Sequence, residues 1–147
     1  MIHPTAQIAP GVTVPESSVI WAFANIGRGV TIGENVSVGA MTEIGDYSQI
    51  GKGTRIGKGC FLPKRSQVGR YVFIGPHVTC TDDKYPDVCK AHYQPRPPVI
   101  EDLASIGAAA TILPGITVGK NSRVGAGAVV THDVPADRTV VGVPARP

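Results

Sequence analysis

Beginning at Ile2, an aliphatic side chain returns at every sixth residue for thirteen consecutive blocks, through Ile8, Val14, Ile20, Ile26, Ile32, Val38, Ile44, Ile50, Ile56, Leu62 and Val68 to Ile74. The same spacing resumes at Ile100, Ile106, Ile112, Val118, Val124 and Val130, so nineteen six-residue blocks occupy 2–79 and 100–135. Internal repeats of fixed period constrain architecture more than any local propensity does. The fifth residue of each block is small or β-branched, as in Ala6, Ser18, Ala24, Thr42, Ser48, Thr54, Cys60, Ala104, Ala110 and Ala128. That residue and the first of the next block are two apart, so strand alternation sends both to one side, which must be the core.

A helix cannot carry this pattern. Six residues keep no helical stripe facing inward, and Gly fills the second position in eleven of the nineteen blocks. The third and fourth positions hold turn chemistry, including Pro10-Gly11, Arg28-Gly29, Glu34-Asn35, Lys52-Gly53, Lys58-Gly59 and Pro114-Gly115. Strands this short cannot sustain a meander of hairpins, but coils stacked about 4.8 Å apart let each strand pair with its copies above and below. The expected fold is therefore an all-β solenoid. Three blocks per turn make a triangular prism of about six coils, which resembles the left-handed parallel β-helix; the handedness comes from that resemblance and runs against the usual crossover rule.

The chain reads as a single domain over 1–147 with one protruding loop at 80–99. Its start enters the repeat without a basic or apolar leader, and no stretch approaches the ~20 apolar residues of a membrane span, so a cytoplasmic location is expected. Cys60 and Cys80 fall at inward positions and Cys89 in the loop, with no C-x-x-C spacing, so neither disulfides nor a metal is expected. The net charge is +3 and basic residues alternate with acids, which argues against nucleic acid or a membrane surface as partner. Residues eighteen apart should stack on one corner, placing Arg28, Asp46, Lys64 and Asp82 in a ladder of alternating sign.

The twenty residues from Cys80 to Val99 break the period and are the first functional suspect, because a long loop on a rigid scaffold is rarely there for packing. They contain Asp82, Asp83, Lys84, Tyr85, His92 and Arg96. His77 stands on a corner just before the loop with Gly59 one coil below and Met41 below that, which predicts an outward imidazole beside a recess. His3 and His132 read as solvated residues, whereas His92 could fold back over the loop's own site.

The segments Ser105–Gly119, Val124–Pro135 and Val141–Arg146 resemble the hexapeptide-repeat acyltransferases. The stretch Val72–Pro86, with Thr81-Asp-Asp-Lys-Tyr-Pro86, is similar to the branch that N-acetylates nucleotide-linked amino sugars for cell-surface glycans such as lipopolysaccharide. The resemblance implies a homotrimer with acetyl-CoA along the groove between prisms and a nucleotide amino sugar entering from the other end. Outward Trp21, Phe23, Tyr71 and Phe73 would be covered by such packing. It further implies that Ala108, Ala126, Gly127 and Thr131 let the pantetheine approach closely, and that His132 and Arg146 meet the coenzyme's phosphates, with Lys120, Arg123 and Arg138 nearby. His77 and Asp82 become the catalytic candidates, and Asp83, Lys84, Tyr85 and His92 the substrate-binding ones. The resembled branch commonly carries Asn in place of His77 and of Asp82, and amides in place of Lys58 and Gly59. Three alternatives stand beside this reading: transfer to a sugar or small-molecule hydroxyl, a γ-class carbonic anhydrase, which would need an H-x4-H spacing that the chain lacks, and a non-catalytic solenoid.

Overall fold

The computed structural model describes residues 1–147. Nineteen two-residue strands are distributed over three parallel sheets, each one face of a prism. Face one contains β1 (Gln7–Ile8), β3 (Asn25–Ile26), β6 (Glu43–Ile44), β9 (Phe61–Leu62), β12 (Thr79–Cys80), β15 (Thr111–Ile112) and β18 (Val129–Val130). Face two contains β4 (Thr31–Ile32), β7 (Gln49–Ile50), β10 (Gln67–Val68), β13 (Val99–Ile100) and β16 (Thr117–Val118). Face three contains β2 (Val19–Ile20), β5 (Ser37–Val38), β8 (Arg55–Ile56), β11 (Phe73–Ile74), β14 (Ser105–Ile106), β17 (Arg123–Val124) and β19 (Thr139–Val140). The chain is thus a left-handed parallel β-helix, with about seven turns rather than the six that counting blocks suggests. No helix is long and apolar enough to cross a membrane.

The register shows where the coils depart from eighteen residues. Successive coils align residues eighteen apart, as in Asn25↔Glu43 and Ser37↔Arg55. Across the loop the offset is 32, as in Phe73↔Ser105, so the loop adds 32 − 18 = 14 residues to one turn. The loop is also shorter than the sequence suggests. Cys80 continues the series from Ile74 as a fully buried core residue, and Val99 already pairs with Gln67, so both ends of the expected 80–99 loop belong to the sheets. At the C-terminal end the offset falls to sixteen, Arg123↔Thr139, and the chain turns over the last coil through an antiparallel bridge between Val141 and Arg146. That turn caps the prism: Ala145 and Gly142 exchange backbone hydrogen bonds with Val129.

The interior is one column of 29 buried residues, nearly all the first and fifth members of their blocks. Fifth positions sit in the narrow vertices. Where they carry hydroxyls, these are satisfied by corner backbone: Thr42 Oγ1 donates to Gly57 O at 2.7 Å and accepts from Cys60 N–H at 3.2 Å, and Thr54 repeats the pattern with Gly69 and Val72. No buried side-chain polar atom lacks a partner, as low-dielectric burial requires. Burial also pushes the Cys60 thiol up and the Cys80 thiol to about 12, which marks both as core residues.

Outside, the expected charge ladder is only partly formed. Arg28 pairs with Asp46 at 3.0 Å and lowers that carboxyl's pKa, chiefly through its side-chain hydrogen bond. Lys64 makes no ion pair with Asp46 or Asp82, and its ammonium lies instead over the Tyr93 ring of the loop. A second ladder runs along the corner between faces two and three, where Lys52 meets Glu34 and Arg70 meets Asp102.

Two outcomes follow from the packing. Ile106→Ala, which empties a fully buried position, should lower the unfolding free energy by about 2–5 kcal/mol, whereas Thr31→Ala on an exposed face should change it by less than about 0.5 kcal/mol; urea titration checks both. The lowered carboxyls of Asp46 and Asp102 stabilise the fold above the ordinary aspartate value of 3.8. Their contribution is lost as pH falls below that value, and thermal melts of Asp46→Asn and wild type should converge there.

Candidate active site

Where face three turns into face one, successive rungs stack Phe23, Met41, Gly59, His77, Ala109 and Gly127 in one column, all with φ between 58° and 69°. The left-handed conformation points each N–H down to the rung below: Met41 to Ala22 O, Gly59 to Ala40 O, His77 to Lys58 O, Ala109 to Pro76 O and Gly127 to Ala108 O, all within 3.0 Å. His77 is exposed, as expected. The recess below it is filled by its own ring, which lies across Gly59. Above it the corner narrows to Ala108, Ala109, Ala126 and Gly127, and a Cβ at Gly127 would meet nothing within 4 Å. Three of the four pantetheine candidates, Ala108, Ala126 and Gly127, therefore share His77's corner and leave an open strip parallel to the prism axis.

Thr131 and His132 are elsewhere. They stand on the corner where face one turns into face two, with Thr131 Oγ1 hydrogen-bonded to His132 Nδ1 at 2.9 Å. The C-terminal cap brings Arg146 to the same cavity as His132, about 400 Å³ in volume and walled by Val130, Val134, Val140 and Ala145. Among the cations expected near phosphates, these two come together. Lys120 lies on the third corner, its N–H held by Glu101, and Arg123 projects from face three.

The loop leaves and rejoins the prism at that same corner. Asp82 and Arg96 both occupy the position that Lys64 fills one coil below, and the Arg96 N–H donates to Asp82 O at 2.8 Å while Arg96 O accepts from Gly115 N–H at 2.7 Å. The free excursion is therefore residues 83–95. A latch at its base holds it down: the Tyr93 hydroxyl donates to Asp82, and the ammonium groups of Lys64 and Lys90 lie 4.8 and 4.9 Å from the Tyr93 ring centroid. Lys90 also pairs with Asp83 at 2.7 Å, which raises its pKa, and its N–H donates to Asp87 at 2.9 Å.

Both acids, expected at the reaction centre and the substrate, also take part in the loop's own hydrogen bonding. Asp82 accepts from Tyr93, and Asp83 accepts from Lys90 and from the Tyr85 N–H, so both serve the loop's own structure. Neither shares a cavity with His77. The loop encloses a second space of about 400 Å³ lined by Asp83, Lys84, Tyr85, Asp87, His92, Gln94 and Arg96. Asp83, Lys84, Tyr85 and His92 were expected at the substrate; Arg96 was named among the loop's residues without a role, and Gln94 was not singled out. The signal for Arg96 was arithmetic, since 96 is 64 plus the 32-residue offset. The chain's four ion pairs involve Arg28, Lys52, Arg70 and Lys90, so Lys84 and Arg96 face this cavity without a carboxylate partner.

The candidates thus form two half-sites on opposite edges of face one, separated by the width of β12. The histidine half carries an unbonded imidazole and a strip of small residues; the loop half carries two unpaired cations and, higher on the same corner, His132 with Arg146. No three His, Cys, Asp or Glu side chains converge as metal ligands anywhere in the chain.

The fold matches known proteins. The family described as "Bacterial transferase hexapeptide (six repeats)" matches residues 11–46 and 97–132. A hexapeptide-repeat-containing acetyltransferase of Vibrio cholerae superposes with a TM-score of 0.69 and 30% identity over 81% of this chain and 72% of its own. That protein has also been solved with acetyl coenzyme A. The galactoside O-acetyltransferase of Lactococcus lactis is 41% identical over 81 residues, and the serine acetyltransferase of Bacillus licheniformis 55% identical over 51 residues. The chain spans well under half the length of these two relatives, 39% and 24%. It belongs to the hexapeptide-repeat acetyltransferases.

Burial, and then the hydrogen bond to Asp82, raise the Tyr93 pKa to about 12. The latch is therefore complete below the ordinary tyrosine value of 10 and is lost only as pH rises toward 12. Tyr93→Phe removes one charge-assisted hydrogen bond and should open the loop: limited proteolysis within residues 83–95 should accelerate about tenfold, as expected for a loss of ~1.5 kcal/mol, with the melting of the prism unchanged.

Proposed function

We propose that the protein transfers the acetyl group of acetyl-CoA to the amine of a nucleotide-linked amino sugar, acting as a homotrimer in cell-surface glycan biosynthesis. The observation that carries the choice of acceptor is the loop cavity. Two cations without carboxylate partners, Lys84 and Arg96, beside His92 and Gln94, suit an acceptor bearing phosphate, whereas serine or a simple galactoside would leave them uncompensated.

The division of the site supports the trimer. In one chain the histidine corner and the loop corner face away from each other, so a complete site needs the loop corner of one prism against the histidine corner of the next. Such packing also covers exposed Trp21 and Phe23 on the histidine corner, whereas Tyr71 on the third corner and Phe73 on face three lie outside it. Acetyl-CoA supplies the acyl group as a thioester. The residues present fit it: Ala108, Ala126 and Gly127 leave room along the corner, and His132 and Arg146 offer donors for its phosphates.

His77 then acts as general base. It accepts the amine proton as the carbon–nitrogen bond forms and the carbon–sulfur bond breaks, and that proton leaves on the thiol. A neutral amine is already a good nucleophile, so positioning supplies much of the rate and the base a smaller part. Asp82 and Asp83 act one step removed, by holding the loop that presents Lys84, Tyr85 and His92.

Transfer to a hydroxyl is the second reading, and the imidazole itself favours it, because an alcohol attacks only with a base to take its proton. His77→Ala separates the two. An O-acetyltransferase should lose about 10²–10⁴-fold in kcat, whereas an N-acetyltransferase should lose less than about tenfold. Unchanged turnover for every acceptor would remove His77 from the mechanism.

The acceptor is tested by measuring CoA release with nucleotide amino sugars, free amino sugars, serine and galactosides. Arg96→Gln should raise KM for the nucleotide sugar about tenfold or more, consistent with ~1.5–3 kcal/mol per charge-assisted bond, and leave KM for acetyl-CoA unchanged. Sedimentation equilibrium should give three times the chain mass of 15.3 kDa.

A further inference from the structure

We propose that Gly59 is the positioning residue for His77, and that the missing side chain at 59 orients the imidazole for acetyl transfer. The inference rests on the reading of His77 as base. Catalytic histidines are commonly oriented by a hydrogen bond to one ring nitrogen. His77 has none within the chain, in contrast to His3, whose Nδ1 pairs with Thr5 Oγ1, and His132, whose Nδ1 pairs with Thr131 Oγ1. Packing takes over that role. A Cβ built on Gly59 would stand 2.5 Å from His77 Nδ1 and 2.7 Å from Cε1, closer than real atoms approach, so the Nδ1–Cε1 edge rests directly on the Gly59 backbone. With that edge against the prism, Nε2 is the nitrogen turned to an acceptor.

The arrangement is a rule of this fold put to use at one place. Tyr47 lies over Gly29 and Tyr71 over Gly53 in the same way, on the other two corners. A ring at a left-handed corner thus lies flat wherever the residue eighteen before it is glycine. At 59 the rule acts on the chain's one histidine in such a column, with Met41 as the next side chain below.

Replacing Gly59 tests this, provided the corner still folds. Asn is the suitable substitute, because the fold already accepts it at left-handed corners: Asn35 and Asn121 both have φ of 56°. Gly53→Asn is the matched control, with the same φ region and the same kind of ring above it but no base. We expect both variants to melt alike. Gly59→Asn should lose kcat toward the loss seen in His77→Ala, severalfold and no more than about tenfold for an amine acceptor, with KM for acetyl-CoA unchanged, and Gly53→Asn should keep wild-type kcat. Independently of turnover, the rate at which diethyl pyrocarbonate modifies His77, followed by peptide mapping, should rise severalfold in Gly59→Asn and not in Gly53→Asn.

An unchanged His77 modification rate in Gly59→Asn overturns the proposal whatever the turnover, as does an equal loss of kcat in the two variants. Loss of turnover in Gly59→Asn with full turnover in His77→Ala would instead overturn the base assignment beneath it, so the two failures are distinguishable.

Discussion

The parallel ladder between one coil and the next is the constraint from which the rest of this structure derives. Backbone N–H groups along the faces reach the carbonyls of the next rung, Gly57 to Ile74 and Gly75 to Ile106 among many, and this sets the rungs at the spacing of a β-sheet. Once rungs are fixed at that distance, every position along the corners is in contact with its equivalents above and below. Side-chain size at a corner is therefore decided vertically. Gly39, Gly57, Gly75, Gly107 and Gly125 follow one another up the histidine corner because a Cβ at each would strike the neighbouring rung.

This vertical logic is why the architecture was so legible. Of the nineteen aliphatics that carry the period, all but Ile2 and Val14 lie in strands, and Ile2 still bridges to Ile20. A helix or an ordinary sheet buries residues that are neighbours in a local pattern, whereas here the pattern and the pairing offset are the same number. The misreadings arose where the offset changes. Cys80 was read both as an inward residue and as the first residue of the loop; it sits six residues after Ile74 and is as buried as any isoleucine, so the inward reading holds and only the loop's bound was misplaced. The cap was unreadable for a related reason: its coil takes sixteen residues, and Thr139–Val140 therefore falls out of phase with the blocks before it.

The site was legible by composition but not by arrangement. That His77, Ala108, Ala126 and Gly127 share an edge follows from offsets of 18 and 32 once the loop's net length is known, and only the coordinates supply that length. The internal chemistry of the loop had no such arithmetic. Tyr93 was not singled out, yet it engages Asp82 and draws Lys64 and Lys90 to its ring, so it changes what three other residues are free to do. Charges in an irregular segment find partners by local geometry, and counting them cannot show which remain unpaired.

A rigid column with one excursion also separates stability from specificity. The prism's core is continuous through β12 and β13, and residues 83–95 leave and return at a single corner, so the loop can vary without disturbing a rung. Conversely, the histidine corner has little freedom, because each of its residues is stacked on a neighbour and held in a left-handed conformation by a backbone bond. On the proposed function, the acyl-transfer chemistry sits on this rigid edge and the recognition of the acceptor on the loop. A prism that places these on different edges reads as half of a site, and bringing two copies together is the simplest way for this architecture to complete it.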